Sequence, residues 1–365
     1  MSFAPRGNNS NFWHSLWLVA RKAIAKYCFD VSVLFLTNDQ CFDHQPGRQH
    51  PERPERLSAV QEGAALSELG SSLVQIEAEL VDRNEILKVH DSHFVEALEK
   101  VDFQGGGRID PDTKMSEHSW RAAQISAGAG IQAVRELSKG SHDAAFCAVR
   151  PPGHHATSNQ SMGFCFLNNA AIAAQYLVNS GQKVLIVDYD AHHGNGTQDI
   201  FYQNPDVFFV SFHEWPLYPG TGRMEEVGDG QGVGTTLNLP FPARTTGDHY
   251  RKAWDEIIHP KVAAFDPSWL IISAGFDSHR NDPVASLGLT SGDYADLTSE
   301  IIKVVPSGRR LVFLEGGYDL EALRLSTAAV LRTLAGDSLH PEKSTQNGPG
   351  KEALETIAQF HIRNS

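Results

Sequence analysis

Six short runs of mostly consecutive apolar residues constrain this chain more than any other feature: Val31–Leu36, Ala144–Val149, Val184–Val187, Val207–Phe212, Leu270–Ser273 and Leu311–Leu314. Runs of this kind suit strands that are buried on both faces. Between them lie stretches of helical periodicity near Ser119–Leu137, Ala170–Val178, Tyr250–Val262, Gly292–Val304 and Leu320–Leu334. The alternation predicts an α/β fold built on a mostly parallel sheet with helices on both faces. No linker rich in Pro, Gly or Ser interrupts residues 31–335, so residues 31–365 read as a single domain. The polar stretch after Gly336 reads as a surface excursion before a last short helix.

Apolar residues make up 41% of the chain and charged residues 21%, which excludes a disordered acidic chain and a coiled coil. Lys and Arg number 31 against 44 Asp and Glu, a net charge of −13. Nucleic-acid-binding domains cluster Lys and Arg, so direct nucleic-acid binding is not expected. A protein or polyamine partner would instead be cationic. The cysteines at 28, 41, 147 and 165 form no CxxC pair, which excludes a thiolate zinc finger and argues against a disulfide framework. A reducing, cytoplasmic location fits. No apolar run reaches the roughly 18 residues of a membrane span. Residues 1–30 stand apart as a basic amphipathic extension, with Arg6, Arg21, Lys22 and Lys26 and no acid before Asp30. An organelle transit peptide, a membrane-surface helix and an extra helix packed on the domain are its three readings. Composition leaves a homo-oligomer open.

Polar residues gather where the apolar runs stop. AAFCAV leads into Arg150-Pro-Pro-Gly-His154-His155, and VLIV into Asp188-Tyr-Asp190-Ala-His192-His193-Gly-Asn195. VFFV leads to Ser211-Phe-His213, LIIS to Ala-Gly-Phe-Asp277, and LVFL to Glu315-Gly316-Gly317-Tyr318. Ligands of an open α/β sheet bind at the carboxyl ends of its strands. On an extended segment Asp188, Asp190 and His192 would share a side, so Asp190 and His192 can hold one metal, with Asp277 the natural third ligand. Two carboxylates and one imidazole leave positions open, as in a catalytic zinc site, although iron(II), cobalt or manganese would also fit. His154 and His155 titrate near neutral pH and can serve as base and acid. Tyr318 follows two glycines and can donate to a developing oxyanion.

These segments resemble a known family. RPPGHHA (150–156), MGFCFLNNAAIAA (162–174), VDYDAHHGNGTQDIF (187–201), AGFDSHRNDP (274–283), EGGYDL (315–320) and HPERPERL (50–57) are similar to the motifs of the histone deacetylase and acetylpolyamine amidohydrolase family, on its class II-like side. The resemblance runs from about residue 31 to 335 and implies the arginase–deacetylase fold with an eight-stranded sheet. It implies Asp190, His192 and Asp277 as zinc ligands, His154 and His155 as the tandem histidines with Asp188 and Asn195 behind them, and Tyr318 as the oxyanion donor. Gly163, Phe164, Tyr218, Val284 and Gly316 would line the substrate tunnel, with Tyr218 standing where Phe is frequent. A structural potassium would use Asp188, Asp190, His192, Ser211 and Phe212, and a second would lie near Phe201, Asn204 and Val207. Arg56 falls where the family places an arginine beside an internal channel.

The implied reaction is zinc-dependent hydrolysis of an N-acyl amide to acetate and free amine. An Asp behind His155 would favour imidazolium, whereas the neutral Asn195 orients the ring without that bias, so His155 is expected to rest neutral. Polyamine-selective relatives carry Glu after the Asp-Pro pair. Val284 follows Asp282-Pro283 here, which favours acetyl-lysine in proteins. The alternatives are an acetylpolyamine or other small-amide hydrolase of the same fold, a dimanganese ureohydrolase, and a non-catalytic acyl-lysine binder.

Overall fold

The computed structural model describes residues 31–363. The basic extension, residues 1–30, lies outside the described residues. The strands in chain order are β1 (Val33–Thr37), β2 (Leu73–Glu77), β3 (Gly107–Arg108), β4 (Lys114–Met115), β5 (Ala144–Cys147), β6 (Val184–Asp188), β7 (Val207–Glu214), β8 (Thr236–Phe241), β9 (Trp269–Ala274) and β10 (Arg310–Leu314). Eight of them form one sheet in the order β2-β1-β5-β10-β9-β6-β7-β8. Every neighbouring pair in it is parallel. The expected parallel sheet is therefore parallel throughout. β3 and β4 form a separate antiparallel ribbon.

The six apolar runs all become strands of this sheet, while β2 and β8 carry no such signal. Both are edge strands. No residue of β2 is buried, and Gln75 interrupts its apolar residues. β8 reads Thr-Leu-Asn-Leu-Pro-Phe, with a proline that an edge position tolerates. In the centre, β6, β7 and β9 are buried at every residue. Each fully buried Val, Ile or Leu there contributes roughly 1.5–3 kcal/mol.

The main helices are α1 (Glu55–Leu66), α2 (Ser92–Phe103), α3 (Ser119–Leu137), α4 (Asn169–Val178), α5 (Asn195–Phe201), α6 (Gly247–Ala253), α7 (His259–Phe265), α8 (Ser291–Ile301), α9 (Leu320–Leu334) and α10 (Lys351–Arg363). The expected helix Tyr250–Val262 is α6 and α7 joined through a π-helical turn, Trp254–Ile258. α3 and α4 pack on each other and on the central strands, while α1, α8 and α9 pack together as a second group. The polar excursion after Gly336 does end in a helix, α10.

His90 is one of several buried histidines whose neutral form burial favours. The Asn168 N–H donates to Nε2 of His90, so Nδ1 carries the proton and donates to the Thr157 carbonyl. Burial lowers the His90 pKa to about 4. The depressed value means that the unfolded chain binds the proton more readily between about pH 6.5 and 4, so stability falls as the pH drops through that window. His90→Gln is expected to remove up to about 2 kcal/mol of the stability that the wild type loses between pH 6.5 and 5, followed by urea unfolding. An unchanged acid loss would clear His90 of the effect.

Candidate active site

Five strands adjacent in the sheet, β5, β10, β9, β6 and β7, deliver the site from their carboxyl ends. His154 and His155 follow β5, Glu315 to Tyr318 follow β10, and Asp277 follows β9. Asp188 closes β6, and Ser211 and Phe212 lie within β7. The strand geometry expected for Asp188, Asp190 and His192 ends at Asp188, and Asp190 and His192 stand on the bend beyond it. That bend is fixed by carboxylates that accept main-chain N–H groups. Asp188 Oδ1 accepts from Asp190 N at 3.1 Å, and Asp190 Oδ1 from His192 N at 2.9 Å. Asp277 Oδ1, arriving from β9, accepts from Ala191 N at 2.7 Å.

The result brings Asp190, His192 and Asp277 together, all buried, with ligand atoms within 4.8 Å of one another. His192 Nδ1 lies 3.0 Å from both Asp190 Oδ1 and Asp277 Oδ2. Among the described residues this is the one cluster of three such groups able to hold a metal ion. The donor set fits a divalent cation. Asp188, Asp190, Asp277 and Glu315 are all fully buried, and the ion-pair partners of the three aspartates are the imidazoles of His154 and His192. Burial opposes the charged form of His192, yet hydrogen bonds to Asp190 and Asp277 raise its pKa well above the usual value. Burial and the Asp190 charge push Asp277 up to about 7. The pocket thus draws positive charge to the point where the three ligands face each other. Gly316 leaves room for them, because a Cβ there would lie 2.3 Å from Asp277 Oδ2 and 2.5 Å from Asp190 Oδ2.

The tandem histidines differ in partner and therefore in charge. His154 Nδ1 bonds Asp188 Oδ2 at 2.9 Å, and Asp188 and Asp190 outweigh burial to raise its pKa to about 10. His155 Nδ1 bonds Asn195 Oδ1 at 2.7 Å, and Asn195 opens α5. Burial, reinforced by the charges of His154 and His192, lowers the His155 pKa well below the usual value. Asn195 therefore stands behind a ring whose charged form its surroundings disfavour. Tyr318 is buried and its pKa is raised well above the usual value, so the phenol stays protonated.

Two aromatic rings border these groups. Tyr218, 38% exposed, meets His155 and His192 edge-on, with ring centres 5.3 and 6.4 Å apart. Phe164 meets Tyr318 edge-on at 5.9 Å. Gly163 adopts φ 55°, and a Cβ there would fall 2.3 Å from the His155 ring. Val284 is half-buried, and its N–H bonds Asp282 Oδ1.

Several residues that hold the site escaped the sequence reading. Asp282 Oδ2 accepts from Tyr318 N at 2.7 Å and fixes the main chain of the phenol. Glu315, raised to about 7 by burial, accepts from Gly153 N and His154 N beneath the histidine pair. Glu52 is fully buried and pairs with Arg150 at 2.7 Å and Arg56 at 3.0 Å. Arg56 in turn donates to the Gly317 and Glu315 carbonyls and lies 5.0 Å from the Tyr318 ring centre. Of this group the sequence reading had singled out Arg56 alone, within the HPERPERL motif. Of the remaining positions, Ser211 Oγ bonds His213 Nδ1 and Phe212 stacks on Tyr250. Phe201, Asn204 and Val207 span the turn from α5 to β7, where Asn204 N–H donates to the Phe201 carbonyl.

Fold and site together define a hydrolase of the arginase–deacetylase architecture. The histone deacetylase domain matches residues 50–334, and the chain belongs to the histone deacetylase family. It is 39% identical to a probable deacetylase of Archaeoglobus fulgidus over 85% of this chain and 88% of that protein. It is 38% identical to histone deacetylase 15 of Arabidopsis thaliana over 84% of this chain, spanning 57% of that protein. The crystal structure of the HDA15 HD domain superposes with a TM-score of 0.84 at 34% identity, covering 91% of this chain and 95% of that one. Family membership supports hydrolytic deacetylation. No helix among the described residues is long and apolar enough to cross a membrane.

The ligand geometry has a direct test. Asp277→Ala removes one of the three candidate donors, so affinity for an added divalent ion is expected to fall by more than the roughly 10–100-fold that an outer partner costs. Metal content by elemental analysis after dialysis reads this without reference to turnover. A variant that retains as much divalent metal as the wild type would exclude Asp277 as a ligand.

Proposed function

We propose that the protein is a zinc-dependent deacetylase whose principal substrate is Nε-acetyl-lysine in proteins. The observation that carries this reading is the convergence of Asp190, His192 and Asp277 beside two histidines of opposite charge preference and a protonated phenol. A divalent ion held by the three ligands supplies Lewis acidity to the amide carbonyl and the attacking water. His155 is neutral, and with Nδ1–H turned to Asn195 its Nε2 is free to accept the water proton. Tyr318 donates to the oxyanion that develops on the acyl oxygen. His154, held charged by Asp188, is the proton source for the departing amine. Water oxygen joins the acyl carbon, the C–N bond breaks, and acetate and the free amine leave.

The rings of Phe164 and Tyr218 suit the aliphatic stem of lysine, and Gly163 and Gly316 keep the approach to the reacting groups narrow. Val284 offers no carboxylate to a secondary ammonium, which supports acetyl-lysine over an acetylpolyamine. In the same proposal a potassium ion uses Asp188, Asp190, His192, Ser211 and Phe212, partly through main-chain oxygens, and a second lies near Phe201, Asn204 and Val207.

Tyr318→Phe keeps the ring and removes the donor. With a fluorogenic acetyl-lysine peptide, kcat is expected to fall on the order of 10²–10³-fold with KM little changed. A loss below about threefold would take the phenol out of the transition state. Val284→Glu tests the substrate assignment. It is expected to raise the kcat/KM ratio for N8-acetylspermidine over the peptide, because the new carboxylate attracts the secondary ammonium. An unmoved ratio would mean that Val284 does not face the substrate.

A further inference from the structure

Phe164, one border of the site, has φ 70°, and it follows Gly163 at φ 55°. A left-handed backbone is costly for a bulky residue and persists only where its surroundings impose it. Here the restraint comes from the turn between β3 and β4, more than 50 residues away. Asp110 Oδ1 accepts from Asp112 N at 2.9 Å and Thr113 N at 2.7 Å, which presets the turn. The side chains so presented reach the strained segment. Gly163 N donates to Asp112 Oδ1 at 3.2 Å, and Phe164 N donates to Thr113 Oγ1 at 3.0 Å. The Thr113 hydroxyl in turn donates to Asp112 Oδ1 at 2.9 Å, so it acts as both acceptor and donor. Thr113 is buried, and His50 braces the same ring edge-on at 4.5 Å while its Nε2 faces the Asp112 carbonyl.

We infer that Asp110, Asp112 and Thr113 form a clamp that holds Phe164 in its strained conformation, with Thr113 the positioning residue that sets this border of the acyl-lysine tunnel. The inference rests on the deacetylase reading for its substrate, but not for the clamp. None of the three touches the metal ligands, the histidine pair or Tyr318 in the hydrogen-bond network, so the effect should fall on substrate stem binding rather than on chemistry.

Thr113→Val keeps the shape and removes the hydroxyl, leaving the Phe164 N–H without its acceptor, whereas Thr113→Ser keeps the acceptor. In the Val variant KM for the acetyl-lysine peptide is expected to rise about tenfold, with kcat within about threefold of wild type. Amide hydrogen exchange over residues 161–166, read by mass spectrometry, is expected to accelerate about tenfold while the β6 and β9 segments remain unchanged. Thr113→Ser is expected to restore both. Should Thr113→Val fail to fold, Asp110→Ala breaks the same turn nearer the surface and is expected to shift KM and exchange in the same direction. Equal losses in the Val and Ser variants, a fall in kcat at constant KM, or unchanged exchange over 161–166 would each overturn the inference. A wild type that leaves the peptide uncut would defeat the deacetylase reading instead, and the exchange arm would still decide the clamp.

Discussion

The interaction on which the rest of this structure depends is the carboxylate that accepts main-chain N–H groups at the carboxyl edge of the sheet. Asp188, Asp190, Asp277 and Glu315 are fully buried, where an unpaired charge would be far too costly. Each is satisfied by the backbone of a loop that must then follow it. Asp190 alone takes the N–H of His192 from its own bend and that of Gly316 from the loop that follows β10. The loops therefore have no independent conformations to choose among. Charge-assisted bonds of this kind are roughly twice as strong as neutral ones, which lets irregular backbone be as well fixed as a strand.

The same device explains how negative charge is concentrated without tearing the centre apart. N–H dipoles offset part of the charge, and imidazoles take another part, but the carboxyl oxygens at the ligand cluster still face one another. A divalent cation held there would complete that balance. Behind it, Glu52 binds two arginines in a fully buried group, and Arg56 carries the link onward to the Gly317 carbonyl. Removing one partner of such a group costs about 3–5 kcal/mol because it strands the other. The segment around residue 52 is thereby tied to the loop of the phenol.

The pattern of residues made the centre of the fold legible and its margins obscure. Strands buried on both faces must be apolar throughout, so β6, β9 and β10 were readable from composition alone. β2 and β8, with one edge free, carry polar residues that dissolve the signal. A similar division runs through the site. Metal and proton chemistry demand particular side chains, so Asp190, His192, Asp277 and the histidine pair stand out in sequence. Asp282, Thr113 and Glu315 act on backbone N–H groups, which every residue but proline possesses. Their partners lie 36, 51 and 162 positions away and impose no residue type that a pattern could register. The bend at Asp190 was misjudged as extended for a related reason, since one of the three carboxylates that fix it, Asp277, comes from another strand.

In the proposed reaction, chemistry and selectivity consequently fall to parts of unequal rigidity. The reacting groups come from the ends of five adjacent strands and are locked by buried carboxylates. The bordering residues Phe164, Tyr218 and Val284 stand on loops outside the sheet, held by a few side-chain bonds or by ring contacts. A substitution among the borders leaves the ligand cluster and its N–H donors untouched, whereas a change in the cluster disturbs several loops at once. Substrate preference can thus drift on this scaffold while the hydrolytic centre stays fixed, and the reaction is the more legible of the two because it is the part with least physical freedom.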